Sequence, residues 1–399
     1  MSGGHVALVG YPGFGHLKPT FGLVSELLRR GHRITYVVTD HYADVIADLG
    51  ARVVRYHSAI PDVTLTQREI DNHAIALSMM RETWAPAPAA VRYFDTDPPD
   101  LVMHDSLSIG TARLLRTRYG VPLGCNHTVF ANPGLPEPAD VAGIDAIAPE
   151  FSLLYKEIWD ELRPLGVGNL FEVYLSGSGP ELNLAYLPAA FQLDLQVFDD
   201  TFRFVGPCLP PSPPRVVRGG VPEVLVSLGT TPSDHAEEFL RTCVRAATGM
   251  PWRMTVTLAG RLDTAALGDL PANVRAHRWL DQADALRGAS AFVTHAGMGG
   301  LMEAFANGVP VLAAPDTVEQ RVNAMRAEQL GLGRVLSGTR AEVTPERMRE
   351  DISVLIADTE VRERLEWIRR EIDACGGATE AADAVEALLS GGDQRKDRA

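Results

Sequence analysis

Cysteine is scarce in this chain. The four residues, Cys125, Cys208, Cys243 and Cys375, stand far apart with no C-x-x-C spacing. That pattern excludes a disulfide framework and a zinc site of the usual spacing, and leaves buried or idle thiols. Positive charge is in deficit as well. A formal net charge of −14 argues against non-specific nucleic-acid binding and against docking on anionic lipid. A phosphorylated ligand would therefore have to be held by local backbone dipoles against an unfavourable overall field. Long apolar runs are missing too. None approaches the roughly 20 residues that span a bilayer, and the first residues hold no basic segment followed by an apolar core, so a cytoplasmic protein is expected. What remains is an ordinary globular composition, 46% apolar and 22% charged, in a chain of 399 residues. That length suits about two to three domains.

Short apolar runs alternate with amphipathic stretches. In the first half, VALVG (6–10) leads to a helix over 19–30, ITYVV (34–38) to HYADVIADLG, and RVVRY (52–56) follows; DLVMHD (100–105) leads to a helix over 109–119 and then VPLGCN (121–126). Strands that are apolar throughout and alternate with helices indicate a parallel sheet covered on both faces. Segments 57–99 and 127–180 read as less regular. Their Met79, Met80, Trp84, Phe94, Phe130, Tyr155, Trp159 and Phe171 either line an apolar small-molecule pocket or, for most of them, cover the sheet.

VGPCLPPSPPRVVRGG (205–220) is dense in proline and glycine and reads as a semi-rigid linker. The alternation then restarts: EVLVSLG (223–229), a helix over 234–247, RMTVTLAG (253–260), VRAHRW (274–279), a short helix, SAFVTHAG (290–297), a helix over 299–307, VPVLAAP (309–315) and a helix over 318–330. Residues 345–390 read as helical and the tail GGDQRKDRA as frayed. The expected fold class is α/β, with two doubly wound Rossmann-like domains facing across a cleft. The expected divisions are a first domain 1–205, a linker 206–222, a second domain 223–375, and a C-terminal helix 376–399 packing back on the first domain. A linker between two such domains also predicts closure over a ligand.

FVTHAGMGG (292–300) carries the strongest local signal. A strand ending at Thr294 meets glycines 297, 299 and 300 and then a helix start, an arrangement that offers backbone N–H groups to a phosphate or diphosphate. His295 adds a donor, and Glu303, one turn beyond Gly299, could accept from ribose hydroxyls. Upstream, HRWLDQADAL gives Trp279 a flat face for a nucleobase, with Gln282 three residues on. Downstream, PDTVEQRVNA clusters Asp316, Glu319 and Gln320 at the next strand-to-helix junction. They suit a polyhydroxylated ligand, or else serve as helix caps. Near the start, HVALVGYPGFGHLKPT ends a strand in glycines and His16, an imidazole that a phosphate cradle would not need.

Taken in order, Trp279-x-x-Gln282, His295-Ala296-Gly297, Glu303 and Glu319-Gln320 resemble the nucleotide-sugar signature of family 1 glycosyltransferases, which have the GT-B arrangement of two Rossmann-like domains. GFGHLKP resembles the H-G-H-x-x-P loop of that family, and the resemblance runs through the whole chain, closest to bacterial macrolide enzymes that use UDP-glucose. It implies that Trp279 stacks on uracil with Gln282 beside the nucleoside. His295 and the amides from Ala296 and Gly297 through Met298 to Gly299 hold the diphosphate, and Glu303 binds the ribose. Glu319 and Gln320 hold the hexose, with Asp316 beside them, and Ser227, Gly229 and Thr230 form a loop near the phosphates. His16 matches the catalytic base and Asp105 its carboxylate partner. Two positions depart from the pattern: Asp281 stands where many relatives have proline, and Asp316 where UDP-glucose enzymes often have glutamine.

The chemistry favours the same roles. Histidine is the side chain whose unperturbed pKa suits removal of a hydroxyl proton near neutral pH, and a carboxylate fixes its tautomer and stabilises the imidazolium. The expected reaction is inverting hexosyl transfer, most simply from UDP-glucose, to a hydroxyl of a hydrophobic small molecule such as a macrolide. A TDP-deoxysugar is the alternative donor. No required metal or other cofactor is expected, and neither nucleic acid nor a membrane is an expected partner; a homodimer is left open. One rival is a nicotinamide-dependent dehydrogenase, with Asp40 on the ribose, but Gly10, Gly13 and Gly15 are spaced G-x-x-G-x-G and His16 blocks close approach. A non-catalytic protein of the same fold would lack the pair of His16 and Asp105.

Overall fold

The computed structural model describes residues 3–58, 60, 72–133, 144–168, 170, 173, 179–210, 220–229, 235–260 and 262–396. The described residues form two compact units. The first runs to Cys208 and includes Cys375 onward; the second covers Leu209–Ala374.

In the first unit, β1 (His5–Val9), β2 (Arg33–Thr39), β3 (Arg52–Tyr56), β4 (Leu101–Asp105), β5 (Leu123–His127), β6 (Leu182–Ala185) and β7 (Phe202–Phe204) make one sheet in the order β3-β2-β1-β4-β5-β6-β7, parallel throughout. Successive side chains on each strand feed opposite cores, as the two-residue strand period requires. Val6, Leu8, Ile34, Tyr36, Leu101 and Met103 pack on one side; Ala7, Val9, Val37 and Val102 pack on the other.

The second of these cores is closed by α4 (Asn72–Trp84), α5 (Ala87–Phe94), α6 (Ile109–Tyr119) and α7 (Ile144–Leu162); α1 (Phe14–Leu17) and α3 (Ala43–Asp48) follow β1 and β2. The first is closed by α2 (Phe21–Arg29), through Leu23, Val24 and Leu27, and by the last helix, α14 (Gly377–Lys396), through Ala381, Ala382 and Val385. Polar contacts fasten α14 as well. Arg30 bonds Asp383 at 2.5 Å and Glu386 at 2.7 Å, while His32 meets Glu386 at 2.9 Å.

The second unit repeats the plan with β8 (Glu223–Ser227), β9 (Arg253–Thr257), β10 (Val274–His277), β11 (Ala291–Thr294), β12 (Val311–Ala313) and β13 (Gly333–Val335), again all parallel, in the order β10-β9-β8-β11-β12-β13. Its helices are α8 (Ala236–Ala247), α9 (Gln282–Arg287), α10 (Met298–Ala306), α11 (Val318–Gln329), α12 (Pro345–Ala357) and α13 (Thr359–Ala374). Both units are therefore doubly wound Rossmann-like folds.

The fold corrects the sequence in several places. Segments 57–99 and 127–180, read as less regular, contain α4, α5 and α7. The short strands β6, β7 and β13 were not expected. Residues 345–390 divide into three helices, and the last of them continues through most of the expected frayed tail to Lys396. Of the aromatic-rich set, Trp84 and Phe94 are core residues, with Met80, Tyr155 and Trp159 packed against them. Phe130 stacks on Phe191 with centroids 5.7 Å apart, Met79 is exposed, and Phe171 lies outside the described residues. Cys125, Cys208 and Cys243 are buried thiols and Cys375 is half-buried. Among the described residues no helix is long and apolar enough to cross a membrane.

Candidate functional site

A doubly wound sheet has one place where consecutive connections leave in opposite directions, and ligands bind outside the strand ends there. In the first unit that place lies between β1 and β4, neighbours in the sheet with Val9 opposite His104. The loop after β1 carries His16, and β4 ends on Asp105. The sheet thus brings together two residues 89 positions apart: His16 Nδ1 lies 2.9 Å from Asp105 Oδ2.

The pair is graded in depth, with the imidazole 22% exposed and the carboxylate 5%. Asp105 Oδ1 accepts the Leu107 backbone N–H at 2.9 Å. Burial pushes the Asp105 carboxyl upward, but His16 and that N–H outweigh it, so its pKa falls below the ordinary value. Asp105 is an anion at neutral pH, the form that fixes Nδ1 of His16 as the protonated nitrogen. Any proton that His16 takes from a ligand must therefore go to Nε2.

Around the pair stand residues that the sequence did not single out. Thr128, just past β5, puts its hydroxyl 3.1 Å from His16 Nδ1 and 3.4 Å from Asp105 Oδ2. The Tyr11 ring packs against His16 with centroids 4.9 Å apart. Glu82, 1% exposed, accepts the Tyr56 hydroxyl at 2.7 Å and the Ser58 hydroxyl at 2.9 Å. Only Tyr11, five positions from His16, lay close enough in the chain to be noticed.

In the second unit the corresponding place lies between β8 and β11, where Ser227 pairs with Thr294. The chain leaves β11 through His295 and Ala296, and Gly297 caps α10 with no side-chain bond. The first N–H groups of a helix have no partner within it, so the backbone at Met298 and Gly299 presents donors to an anion. Ala296 has a left-handed φ of 64°. Asn323 holds this strained turn, donating from Nδ2 to the Ala296 carbonyl at 3.1 Å and to Glu319 Oε1 at 3.0 Å.

Two glycines make room for His295. A Cβ on Gly229 would lie 2.4 Å from its Cε1, and one on Gly297 would lie 2.5 Å from its Nε2. Gly229 also has a φ of 72°, which favours glycine on its own account. Burial, with the Arg340 cation second, lowers the His295 pKa to about 4. The ring is neutral at pH 7, and the Ser227 backbone is a hydrogen-bond partner for it. Thr230 lies outside the described residues.

Trp279 is 59% exposed, as an open stacking face would be. Gln282 and Glu303, assigned separate roles from the sequence, are bonded to each other, Nε2 to Oε2 at 2.7 Å, and Glu303 is 3% exposed. Asp281 has a structural use where many relatives have proline: it caps α9, accepting the Asp284 N–H at 3.1 Å.

At the β12 to α11 junction the cap is Thr317, not Asp316 or Glu319. Gln320 completes a capping box, its Oε1 accepting the Asp316 N–H at 2.9 Å and the Thr317 N–H at 3.4 Å. Its carbonyl oxygen is thus used by the backbone, leaving the amide NH2 for a ligand. Asp316, 34% exposed, pairs at 3.6 Å with Arg340, a residue no motif marked.

Among the described residues no group of three His, Cys, Asp or Glu side chains is placed to hold a metal ion. The D-x-D of Asp95 and Asp97 is taken up by Arg118 at 2.7 Å and Arg33 at 2.9 Å. Asp40, the ribose acid of the dehydrogenase alternative, pairs with Arg55 at 3.3 Å.

Residues 253–388 match the family model described as erythromycin biosynthesis protein CIII-like, C-terminal domain. The oleandomycin glycosyltransferase of Streptomyces antibioticus is 32% identical over 98% of this chain and 93% of its own length. The demethyllactenocin mycarosyltransferase of Streptomyces fradiae is 33% identical over 97% and 87%. An NDP-glycosyltransferase, YjiC, of Bacillus licheniformis is 30% identical over 97% and 98%. Among solved structures, the calicheamicin glycosyltransferase CalG4 superposes with a TM-score of 0.79 at 35% identity, covering 98% of this chain and 99% of that one. With two Rossmann-like units and relatives of this identity along nearly its whole length, the chain belongs to the family 1 glycosyltransferases of the GT-B class, close to the macrolide glycosyltransferases.

Proposed function

We propose that this glycosyltransferase inverts the sugar carbon, moving a hexose, with UDP-glucose as first choice of donor, onto a hydroxyl of a hydrophobic small molecule such as a macrolide. The observation that carries it is the His16 Nδ1 to Asp105 Oδ2 bond of 2.9 Å at the strand ends of the first unit. The acceptor oxygen forms its bond to the anomeric carbon as the bond to the diphosphate breaks. The acceptor proton passes to His16 Nε2, the electron pair leaves with the diphosphate, and Asp105 stabilises the imidazolium. The start of α10 and the neutral His295 meet the charge that develops on the diphosphate, and no metal is required. Attack from the side opposite the leaving group turns an α-linked donor into a β-glycoside.

A TDP-deoxysugar is the second reading. It is favoured by Asp316, a carboxylate where glutamine accompanies UDP-glucose in many relatives, and by the likeness to a mycarosyltransferase. Incubation with UDP-glucose and TDP-sugars against macrolide and phenolic acceptors, read by mass spectrometry, tests both. A hexose added with inversion from the UDP donor is the expected result, deoxysugar product alone favours the second reading, and no product from any pair overturns the function.

A further inference from the structure

Asp316 is a half-buried carboxylate with a buried cation behind it. The side chain of Arg340 is 4% exposed, its Nε donates to the Ala314 carbonyl at 2.8 Å, and its guanidinium carbon sits 5.9 Å from the Phe239 ring centroid. Ala314 directly follows β12, so the guanidinium is clamped to the strand end that launches the junction. The backbone on the other side is fixed by the Gln320 capping box. Asp316 is thus pinned from both directions while 34% of its side chain faces solvent.

We propose that Arg340 is a positioning residue for the donor sugar: it holds one oxygen of Asp316 so that the carboxylate stands as a fixed acceptor for hexose hydroxyls. This rests on the functional reading above, in which the β12 to α11 junction takes the sugar. A lone carboxylate at that spot would be free to rotate and to attract solvent cations. Tied to a buried guanidinium, it offers acceptors in one direction and disfavours a sugar that carries its own negative charge.

The test compares wild type with Arg340→Met, Asp316→Asn and the double variant, measuring the Kd of UDP alone by calorimetry and the donor KM with UDP-glucose or TDP-glucose, whichever the wild type uses. Arg340→Met should raise the donor KM about tenfold and leave the UDP Kd within about twofold. Asp316→Asn should do the same, and the double variant should be no worse than either single one, as for residues acting as a unit. An equal loss in UDP affinity, an unchanged donor KM, or losses that multiply in the double variant would overturn the proposal. If Arg340→Met melts early, Asp316→Asn makes the same test without emptying the buried position. A wild type that binds neither UDP nor TDP overturns the functional reading instead, whereas intact nucleotide binding with no change in sugar KM overturns only the role of Arg340.

Discussion

A histidine committed through Nδ1 to a buried carboxylate can take up a proton only at Nε2, which makes its removal a clean test. His16→Ala should lower turnover by about 10²- to 10⁴-fold, the usual worth of a general base, with the UDP Kd unchanged by calorimetry. Retained turnover would defeat the assignment. Gly229→Ala makes the converse test in the second unit. Its Cβ would collide with the His295 ring, at 2.4 Å, in a backbone conformation of φ 72°, so donor binding should weaken at least about tenfold while the acceptor KM holds. At this scale the sequence told most where residues sit at strand ends, beside glycines for His16 and His295 and without them for Asp105. It told nothing of Thr128, Asn323 or Arg340. Each is a single polar residue whose partner, Asp105, Ala296 or Ala314, lies more than twenty positions away in the chain, so only the folded backbone brings the two together.

Elements were legible in proportion to their length and patterning. The central strands announce themselves because parallel sheets need apolar side chains on both faces, whereas β7 and β13 have three residues each and too little pattern to register. Helix α4 reads NHAIALSMMRETW, with apolar residues scattered around the helix and no distinct stripe, and prolines crowd the approach to α5, so both passed for irregular chain. The last helix carries a prediction of its own. Removing residues 376–399 would uncover Leu23, Leu27 and the rest of that core face and take Glu386 away from both Arg30 and His32. The loss of about 3–5 kcal/mol should lower the first melting transition in calorimetry by about 10 °C, and an unmoved transition would mean that α14 is dispensable.

Acid sensitivity belongs to the whole molecule. Burial lowers the pKa of His5, His104, His127 and His295, those of His104 and His295 to about 4 from 6.5. Between these values the unfolded chain binds more protons than the folded one, so stability is full above about pH 6.5 and declines as the pH falls toward 4. At pH 5, His104 and His295 should each have forfeited about 2 kcal/mol relative to pH 7, seen as a lower urea midpoint. Three of the four histidines lie in the first unit, so that unit should unfold first on acidification; loss of the second unit first would contradict this placement.

The route of the backbone has a further consequence. Among the described residues the chain leaves the first unit at Cys208 and returns to it at Cys375, so the second unit is there one continuous insert within the first. In recombination the two halves are therefore unequal. Segment 209–374 can be exchanged between relatives as one cassette with two joins, while the first unit can be transplanted only as two pieces that must find each other. Preference for the nucleotide sugar should travel with the cassette and preference for the acceptor should stay with the host.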